Sequence, residues 1–526
     1  MELPHDLAQM DAKHLRDLTA ALFVKLQQRE SELTERDAVL SRRDEELKYK
    51  QLKIDQLTHE MAVLKRWRFG RRSEQLDVVQ HSLLDESIDA DLEAIELEIE
   101  ALRKPSAKPK AKPRRVALPK DLPRRDVPHE PDNLKCNCGC DLERIGEDVS
   151  ERLDYLPGVF EVERHVRGKW VCRGCETLIQ APVPAQIIDK GIPTAGLLAQ
   201  VLIGKYHDHV PLYRQEGIFG RAGLPLPRST MAQWVGACGV ALAPVVEGMK
   251  AALFTRSVLH ADETPVPMLK PGLGRTHRAY LWSYGTTEYD ELPIVIYDFA
   301  EGRGGAHARD FLGDWSGKLV CDDYSGYKAL FKRGIIEIGC AAHARRKFHD
   351  LYANRSSAIA EEALRYFAAL YKIEDEARDR RLDATQRQLL RQEYAKPIAE
   401  ALRKWLLYHR GQVPQGSATA KAIAYSLGRW DALVRYIDDG DLPIDNNHLE
   451  NRIRPVALGR ANWLFAGSLR AGQRAANVMS LIQSAKLNGH DPHRYLKDVL
   501  ERLPTQPASR LEELLPHRWQ PPPTAQ

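Results

Sequence analysis

The sequence predicts a multidomain α+β chain, and three observations carry that expectation. A seven-residue apolar repeat runs through an N-terminal segment free of Pro and Gly. Two cysteine knuckles flank an alternating, strand-like stretch. From Val258 the apolar period changes from helical to strand-like, and it returns to helical further on. At 526 residues the chain is too long for one core and should divide into roughly three or four folding units. With 77 Lys and Arg against 73 Asp and Glu the formal charge is only +4. The placement of charge is therefore more informative than its total.

Residues 1–100 read as a helical, coiled-coil region. Leu26, Leu33, Leu40, Leu47, Ile54 and Met61 recur every seven residues, which predicts a helix paired along a seam. Arg29, Arg36, Arg43 and Lys50 interrupt the complementary seam positions Leu22, Leu57 and Leu64, so the pairing should be marginal in its middle. A homo-oligomer through this helix is the expectation. An acidic helix with Leu92, Ile95, Leu97 and Ile99 follows. Residues 101–130 form a basic Pro-rich linker, with ten basic residues and the single acid Asp121 between Arg103 and Arg125. Such a segment cannot bury enough apolar surface to fold alone, and it serves equally as a solvated tether or a phosphate-backbone contact. The N-terminus lacks the pattern of a signal peptide and no apolar run approaches the roughly 18 residues of a membrane span, so a soluble, cytoplasmic protein without membrane partners is expected.

Residues 131–182 match a zinc-binding ribbon. Cys136, Cys138 and Cys140 make a first, irregular knuckle and Cys172 and Cys175 a second, so one of the first three is surplus to a tetrahedral Zn²⁺. Four protein ligands leave no open position, which makes such a zinc structural. Residues 190–255 read as helical. A short helix over Leu212 to Arg221, a turn containing Gly223 and a helix capped by Ser229 suggest a helix-turn-helix. Arg228, Ser229, Thr230 and Gln233 would then open its DNA-recognition helix, although an ordinary helical hairpin has the same pattern.

Residues 256–475 carry the chemistry. Strands are predicted at Val258 to Asp262, Ala279 to Thr286, Leu292 to Phe299, Leu319 to Asp322 and Ile335 to Gly339, with a helix from Ala306 to Trp315 before the fourth. Three strands, a helix and another strand is the order of a ribonuclease H-like α/β domain, in which the first and fourth strands are neighbours. That would set Asp262 beside Asp322. Residues 351–440 look like a helical insertion, with Ile359, Ala363, Phe367 and Leu370 on one face, and residues 476–526 like a C-terminal helical tail.

The third acid is Glu450. On a helix, Asn446, Asn447, Glu450 and Arg454 share a polar face while Leu449, Ile453 and Val456 anchor the other, and Pro455 should kink or end it. Three carboxylates within about 5 Å repel pairwise by roughly 3 kcal/mol at an effective dielectric near 20, so such a cluster needs divalent cations. Oxygen ligands select Mg²⁺ or Mn²⁺, and a pair of such ions suits in-line attack on a phosphodiester. Glu263 and Asp323 compete with their neighbours for these places, and strand register decides. Arg452, Arg454, Arg460, Arg470 and Arg474 make the following segment basic, and with Arg345 and Arg346 they are candidates for DNA phosphates.

Longer motifs run in order through nearly the whole chain. They are Arg68-Phe69-Gly70-Arg71-Arg72-Ser73-Glu74, the cysteine knuckles, His260-Ala261-Asp262-Glu263-Thr264-Pro265, Asp322-Asp323-Tyr324-Ser325-Gly326-Tyr327, Cys340-Ala341-Ala342-His343-Ala344-Arg345-Arg346-Lys347-Phe348, Asn446-Asn447-His448-Leu449-Glu450-Asn451-Arg452 and Asn462-Trp463-Leu464-Phe465-Ala466-Gly467-Ser468. On these the chain resembles transposases of the insertion sequence 66 family. The resemblance implies a DDE transposase acting on double-stranded element ends and target DNA, with Asp262, Asp322 and Glu450 as its triad and small accessory proteins as partners. It also supports the zinc segment, for which Cys136 and Cys138 are taken with Cys172 and Cys175, and Cys140 as the alternative. Ala461 stands where such proteins often carry Lys. The competing expectation is a catalytically inactive DNA-binding protein or regulator descended from a transposase.

Overall fold

The computed structural model describes residues 12–69, 78–103, 118, 120, 122–131, 134–135, 140–156, 158–188, 191–270, 275–355 and 357–522. Cys136, Cys138 and most of the basic linker lie outside the described residues. The chain forms two units, one of residues 1–70 and 95–110 and the other of residues 71–94 and 111–526.

In the first unit α1 (Ala12–Phe69) is a single helix of 58 residues, as a segment without Pro or Gly allows. Leu57 and Leu64 near its end are buried, as are Ile95 and Ile99 on α2 (Val78–Leu102). Lys65 and Glu96 form an exposed ion pair at 3.4 Å. Leu33, Leu40 and Leu47 keep 51–58% exposure along the middle of α1.

The second unit begins with residues 78–94 of α2 and a small sheet. Strands β1 (Arg124–His129), β2 (Glu143–Leu156) and β3 (Val159–Val171) lie in the order β1-β3-β2, and β4 (Leu178–Gln180) also pairs with β3. The β2–β3 hairpin turns at Gly158, whose φ of +90° suits glycine alone. Asp154 accepts the Thr194 hydroxyl at 2.5 Å, and Thr194 caps α3 (Ala195–Tyr206), which ties the ribbon to the helical layer. Next come α4 (Leu212–Arg221) and α5 (Arg228–Leu253). Pro211, at the N-cap of α4, has no side-chain acceptor; Glu86 of α2 takes the Leu212 and Tyr213 N–H groups instead, at 3.3 and 2.8 Å. The predicted cap of α5 is corrected in the same way. Pro227 holds its N-cap, and the Arg228 N–H donates to Glu216 at 3.2 Å rather than Ser229 closing the turn. By length and composition α5 could cross a membrane, contrary to the expectation that no stretch comes close; it is mostly buried as the central core helix.

The second sheet comprises β5 (Val258–Met268), β6 (His277–Gly285), β7 (Val295–Ala300), β8 (Lys318–Cys321) and β9 (Ile336–Gly339), with α6 (Gly305–Leu312), α7 (Lys328–Phe331) and α8 (Ala341–Arg355) among them. Its order is β7-β6-β5-β8-β9, antiparallel through the first three strands and parallel from β5 to β9. The insertion consists of α9 (Ala358–Asp379), α10 (Ala384–Leu390), α11 (Lys396–Arg410), α12 (Ala418–Gly428) and α13 (Trp430–Val434). At its centre Arg391 is fully buried, pairs with Glu374 at 2.6 Å and donates to the carbonyls of Tyr436, Asp439 and Leu442 at 3.0 Å each. With its donors met in this way a buried guanidinium is tolerated.

Three helices finish the chain: α14 (Asn447–Trp463), α15 (Leu469–Leu487) and α16 (Pro492–Arg502). Pro455 does not end α14, which continues eight residues beyond it. The 475/476 boundary drawn from the sequence falls inside α15, and that helix seals the edge strand β7. Val295 N–H donates to Ser484 Oγ at 3.0 Å and Tyr297 N–H to Ser480 Oγ at 2.8 Å, which removes an exposed strand edge. Arg474, expected among the DNA-facing basic residues, is buried and paired with buried Asp91 of α2 at 2.9 Å. Asp91→Ala should therefore strand a buried charge and cost about 3–5 kcal/mol, read as a lower urea midpoint, while Asp91→Leu combined with Arg474→Met should recover most of it.

Candidate functional site

Strand register assembles the acidic residues. β5 and β8 run parallel with Val258 opposite Lys318, Leu259 opposite Leu319 and His260 opposite Val320. Two residues further, Asp262 comes level with Asp322 just past the end of β8. Alternation fixes the faces. Val258 and Val320 belong to the core shared with α8 and the insertion, whereas Leu259, Ala261, Leu319 and Cys321 belong to the core on the opposite side. Asp262 and Asp322 thus share the face of His260 and Val320.

On that face α14 is docked through Asn446. His260 is fully buried and its Nδ1 lies 2.6 Å from Asn446 Oδ1. The Asn446 amide donates to the Ala261 carbonyl at 3.1 Å, so its oxygen accepts from His260, which must carry its proton on Nδ1. The Asn446 backbone N–H reaches Cys340 Sγ at 3.3 Å. Gly285, opposite His260 on β6, makes room for the helix, because a Cβ there would stand 3.1 Å from Leu449. Glu450 follows in the first turn of α14.

The carboxylates sense one another. Burial pushes the Asp262 carboxyl well above the usual carboxylate range, and repulsion from Glu263, Glu450 and Asp322 adds to the rise against one hydrogen bond from the Glu263 N–H at 2.9 Å. Asp322 accepts the Tyr324 N–H at 2.8 Å, an Asx turn that orients it past the strand end. Among the described residues no Lys, Arg or His forms an ion pair with Asp262 or Asp322. Their sequence neighbours are treated differently. Glu263 points to the other face, where Arg303 Nε and the Tyr327 hydroxyl reach it at 2.7 and 2.9 Å. Asp323 faces Arg429 and Lys328 at 3.7 and 3.9 Å. Glu450 has Arg346 and His343 each at 3.5 Å, and its Oε1 is shielded from water without a hydrogen bond. Asp262 and Asp322 are thus level on one face with no cationic side chain paired to either among the described residues, while the group of ligand atoms that lie within 4.8 Å of one another is Cys340, His343 and Glu450.

The basic candidates separate into groups. Arg345 and Arg346 are exposed on α8 and Arg454 on α14, while Arg452 and Arg460 are half-buried. The Arg452 carbonyl accepts the Tyr297 hydroxyl at 2.6 Å, and the Arg460 guanidinium donates to the Pro265 carbonyl at 2.6 Å, so both brace α14 against the sheet. At the start of α5, Arg228, Ser229 and Thr230 are half-buried and Gln233 is exposed. In the ribbon, a Cβ at Gly174 would stand 3.0 Å from Cys140 Sγ and 3.8 Å from Cys172 Sγ, so the alternative ligand Cys140 lies beside the second knuckle. Cys175 follows on the same turn, 3.2 Å from the Thr177 hydroxyl. Cys140 and Cys172, both close to Gly174, are of the residue type that holds Zn²⁺.

Sequence reasoning overlooked the supports. Asn446 was placed on a polar helical face with Glu450, yet it is the buried N-cap residue. Asp445 accepts the Asn447 N–H at 2.8 Å and the Tyr371 hydroxyl of α9 at 2.6 Å. The run Asp445-Asn446-Asn447 directly before a helix is the signal that would have found them.

The family described as "Transposase IS66 family" matches residues 190–474, "IS66 C-terminal element" residues 480–517, "zinc-finger binding domain of transposase IS66" residues 134–176 and "Transposase C of IS166 homeodomain" residues 56–127. The chain is 38% identical to "Uncharacterized protein y4qI" of Sinorhizobium fredii (strain NBRC 101917 / NGR234), over 89% of this chain and 90% of that protein. It is 36% identical to "Uncharacterized protein y4jD" of the same organism, over 88% and 94%.

Asn446→Ala should leave the His260 ring and the Ala261 carbonyl unmet and cost roughly 2–5 kcal/mol, measured by urea denaturation. Stripping the ribbon with a strong chelator should release one Zn²⁺ per chain and expose buried Cys172 to thiol reagents, checked with a zinc indicator and thiol titration.

Proposed function

Because the chain belongs to the IS66 transposase family, we propose that it binds insertion-element ends and catalyses metal-dependent DNA strand cleavage and strand transfer. In this reading the second sheet and its helices form a ribonuclease H-like domain, with Asp262, Asp322 and Glu450 as the DDE triad. The observation that carries it is the register of β5 and β8, which brings Asp262 level with Asp322 just past the strand end, with Glu450 in the first turn of the helix that Asn446 docks on the same face. The sheet order β7-β6-β5-β8-β9, with β5 parallel to β8, supports the fold assignment.

Asp262, Asp322 and Glu450 would hold Mg²⁺ or Mn²⁺, and the orphaned Glu450 Oε1 fits that use. When bound, such ions activate a water or a DNA 3′-hydroxyl and stabilise the leaving oxygen. The protein's own share is position and charge. His260 and Asn446 hold the strand and the helix in register. Exposed Arg345, Arg346 and Arg454 would neutralise phosphates on either side of the scissile bond, Arg228, Ser229, Thr230 and Gln233 would meet the element end, and the exposed leucines of α1 would pair copies of the chain. The ribbon cysteines would hold structural Zn²⁺. The substrate is then double-stranded DNA of the element ends and target in the bacterial cytoplasm, with accessory transposition proteins as further partners.

Asp262→Asn, Asp322→Asn and Glu450→Gln should each lower cleavage of element-end DNA in Mg²⁺ by more than about 100-fold, beyond the 10–100-fold usual for an outer-shell partner. DNA affinity, measured at matched salt, should persist in each. Salt-sensitive binding by the wild type without cleavage would instead identify an inactive descendant that acts as a DNA-binding regulator.

A further inference from the structure

We infer that Cys340, His343 and Glu450 form a second, softer metal site that takes Zn²⁺ and competes with the acidic pocket for Glu450. One ligand atom from each of the three lies within 4.8 Å of the others. His343 Nδ1 and Glu450 Oε1 stand 3.5 Å apart, both shielded from water and both without a hydrogen-bond partner. A charge-assisted hydrogen bond between them would close to about 2.7–2.9 Å. Two ligands of a tetrahedral ion, each about 2.0–2.3 Å from it, lie about 3.3–3.7 Å apart. The observed gap matches a shared ion.

Backbone geometry sets the donors. Cys340 directly follows β9 and His343 lies in the first turn of α8, so the Cys-x-x-His spacing turns both toward the start of α14. The Asn446 N–H at 3.3 Å holds the sulfur in place. Burial pushes the Cys340 thiol up to about 12, so an ion must be strong enough to displace that proton to solvent as the sulfur–metal bond forms. A thiolate with an imidazole selects Zn²⁺ or Co²⁺ over Mg²⁺. Three protein ligands leave a fourth position open to water, and the half-buried His343 and Glu450 side chains give an entry path. The regulatory consequence, zinc inhibition of cleavage, rests on the reading of Glu450 as part of the triad.

The test uses the full-length protein freed of weakly held metal and titrated with Co²⁺, whose thiolate charge-transfer and visible bands report the site. Wild type should bind one more equivalent than Cys340→Ser or His343→Ala, with a difference spectrum of a single thiolate. Superimposable titrations overturn the site, and use of the half-buried His343 guards against a folding defect at buried Cys340. In a second arm Zn²⁺ is added to Mg²⁺-dependent cleavage of element-end DNA. Inhibition of wild type at a zinc concentration at least tenfold below that for Cys340→Ser supports the shared use of Glu450, and equal inhibition overturns it. Absence of any Mg²⁺-dependent cleavage by wild type defeats the transposase reading alone, because the Co²⁺ titration still decides the site.

Discussion

The side chain of Asn446 is the joint on which the arrangement depends. It is fully buried, and its hydrogen bonds run to the His260 ring and the Ala261 carbonyl of one strand while its backbone N–H meets the Cys340 sulfur at the end of another. Each buried polar group left unmet costs about 1–3 kcal/mol, so the segment that delivers Glu450 has one register in which it can dock. A shift of one residue would place Asp445 or Asn447 in the slot. Asp445 is already committed to Tyr371 and to the Asn447 amide, and Asn447 is exposed.

That rigidity answers an electrostatic difficulty. Carboxylates drawn together tend to separate or to take up protons, and the Asp262 carboxyl is raised by its burial first and then by repulsion from Glu263, Glu450 and Asp322. The adjacent acids have other partners. Glu263 and Asp323 are each one residue away in sequence, yet Arg303 and Tyr327 meet the first and Arg429 and Lys328 the second. Arg303 thus pairs with Glu263 and Arg429 with Asp323, while among the described residues no cation pairs with Asp262 or Asp322. Backbone pairing on β5 and β8 and the docked helix hold the group together against its own repulsion.

The parts legible in the sequence are those governed by local periodicity. The strand carrying Asp262 and the strand that ends just before Asp322 were visible as short apolar runs, their order followed from the helix before β8, and the long helix α1 from the absence of Pro and Gly. Residue pattern alone left Asp322 and Asp323 open where the resemblance pointed to Asp322, because alternation offers both faces; the pairing of His260 with Val320 puts Asp322 on the face of Asp262. Contacts across long separations were also hidden. Nothing near Glu86 announces that it will cap α4 at Leu212 and Tyr213, and nothing near Arg474 announces Asp91. Composition made Arg474 look like a phosphate ligand, and burial made it a structural cation. Pro455 misled for a related reason: tertiary bonds from Tyr297 to the Arg452 carbonyl and from Arg460 to the Pro265 carbonyl brace α14 on both sides of the missing N–H.

The helical insertion then takes on a more definite role than that of a tolerated surface addition. Its interior is organised by Arg391 and Glu374, a buried pair whose partial removal would leave an uncompensated charge, so the block resists deformation as a unit. Its apolar core continues through Phe348 of α8 into Val320 and Ile338 of the sheet, and its Tyr371 hydroxyl ends on Asp445, one residue before the Asn446 joint. A packed interior transmits displacement because it has few voids to absorb it. The Tyr371–Asp445 bond thus ties α9 to the residue just ahead of the helix that carries Glu450. The insertion lies in sequence directly ahead of α14, and the shared core with Val320 and Ile338 packs it against the sheet as well.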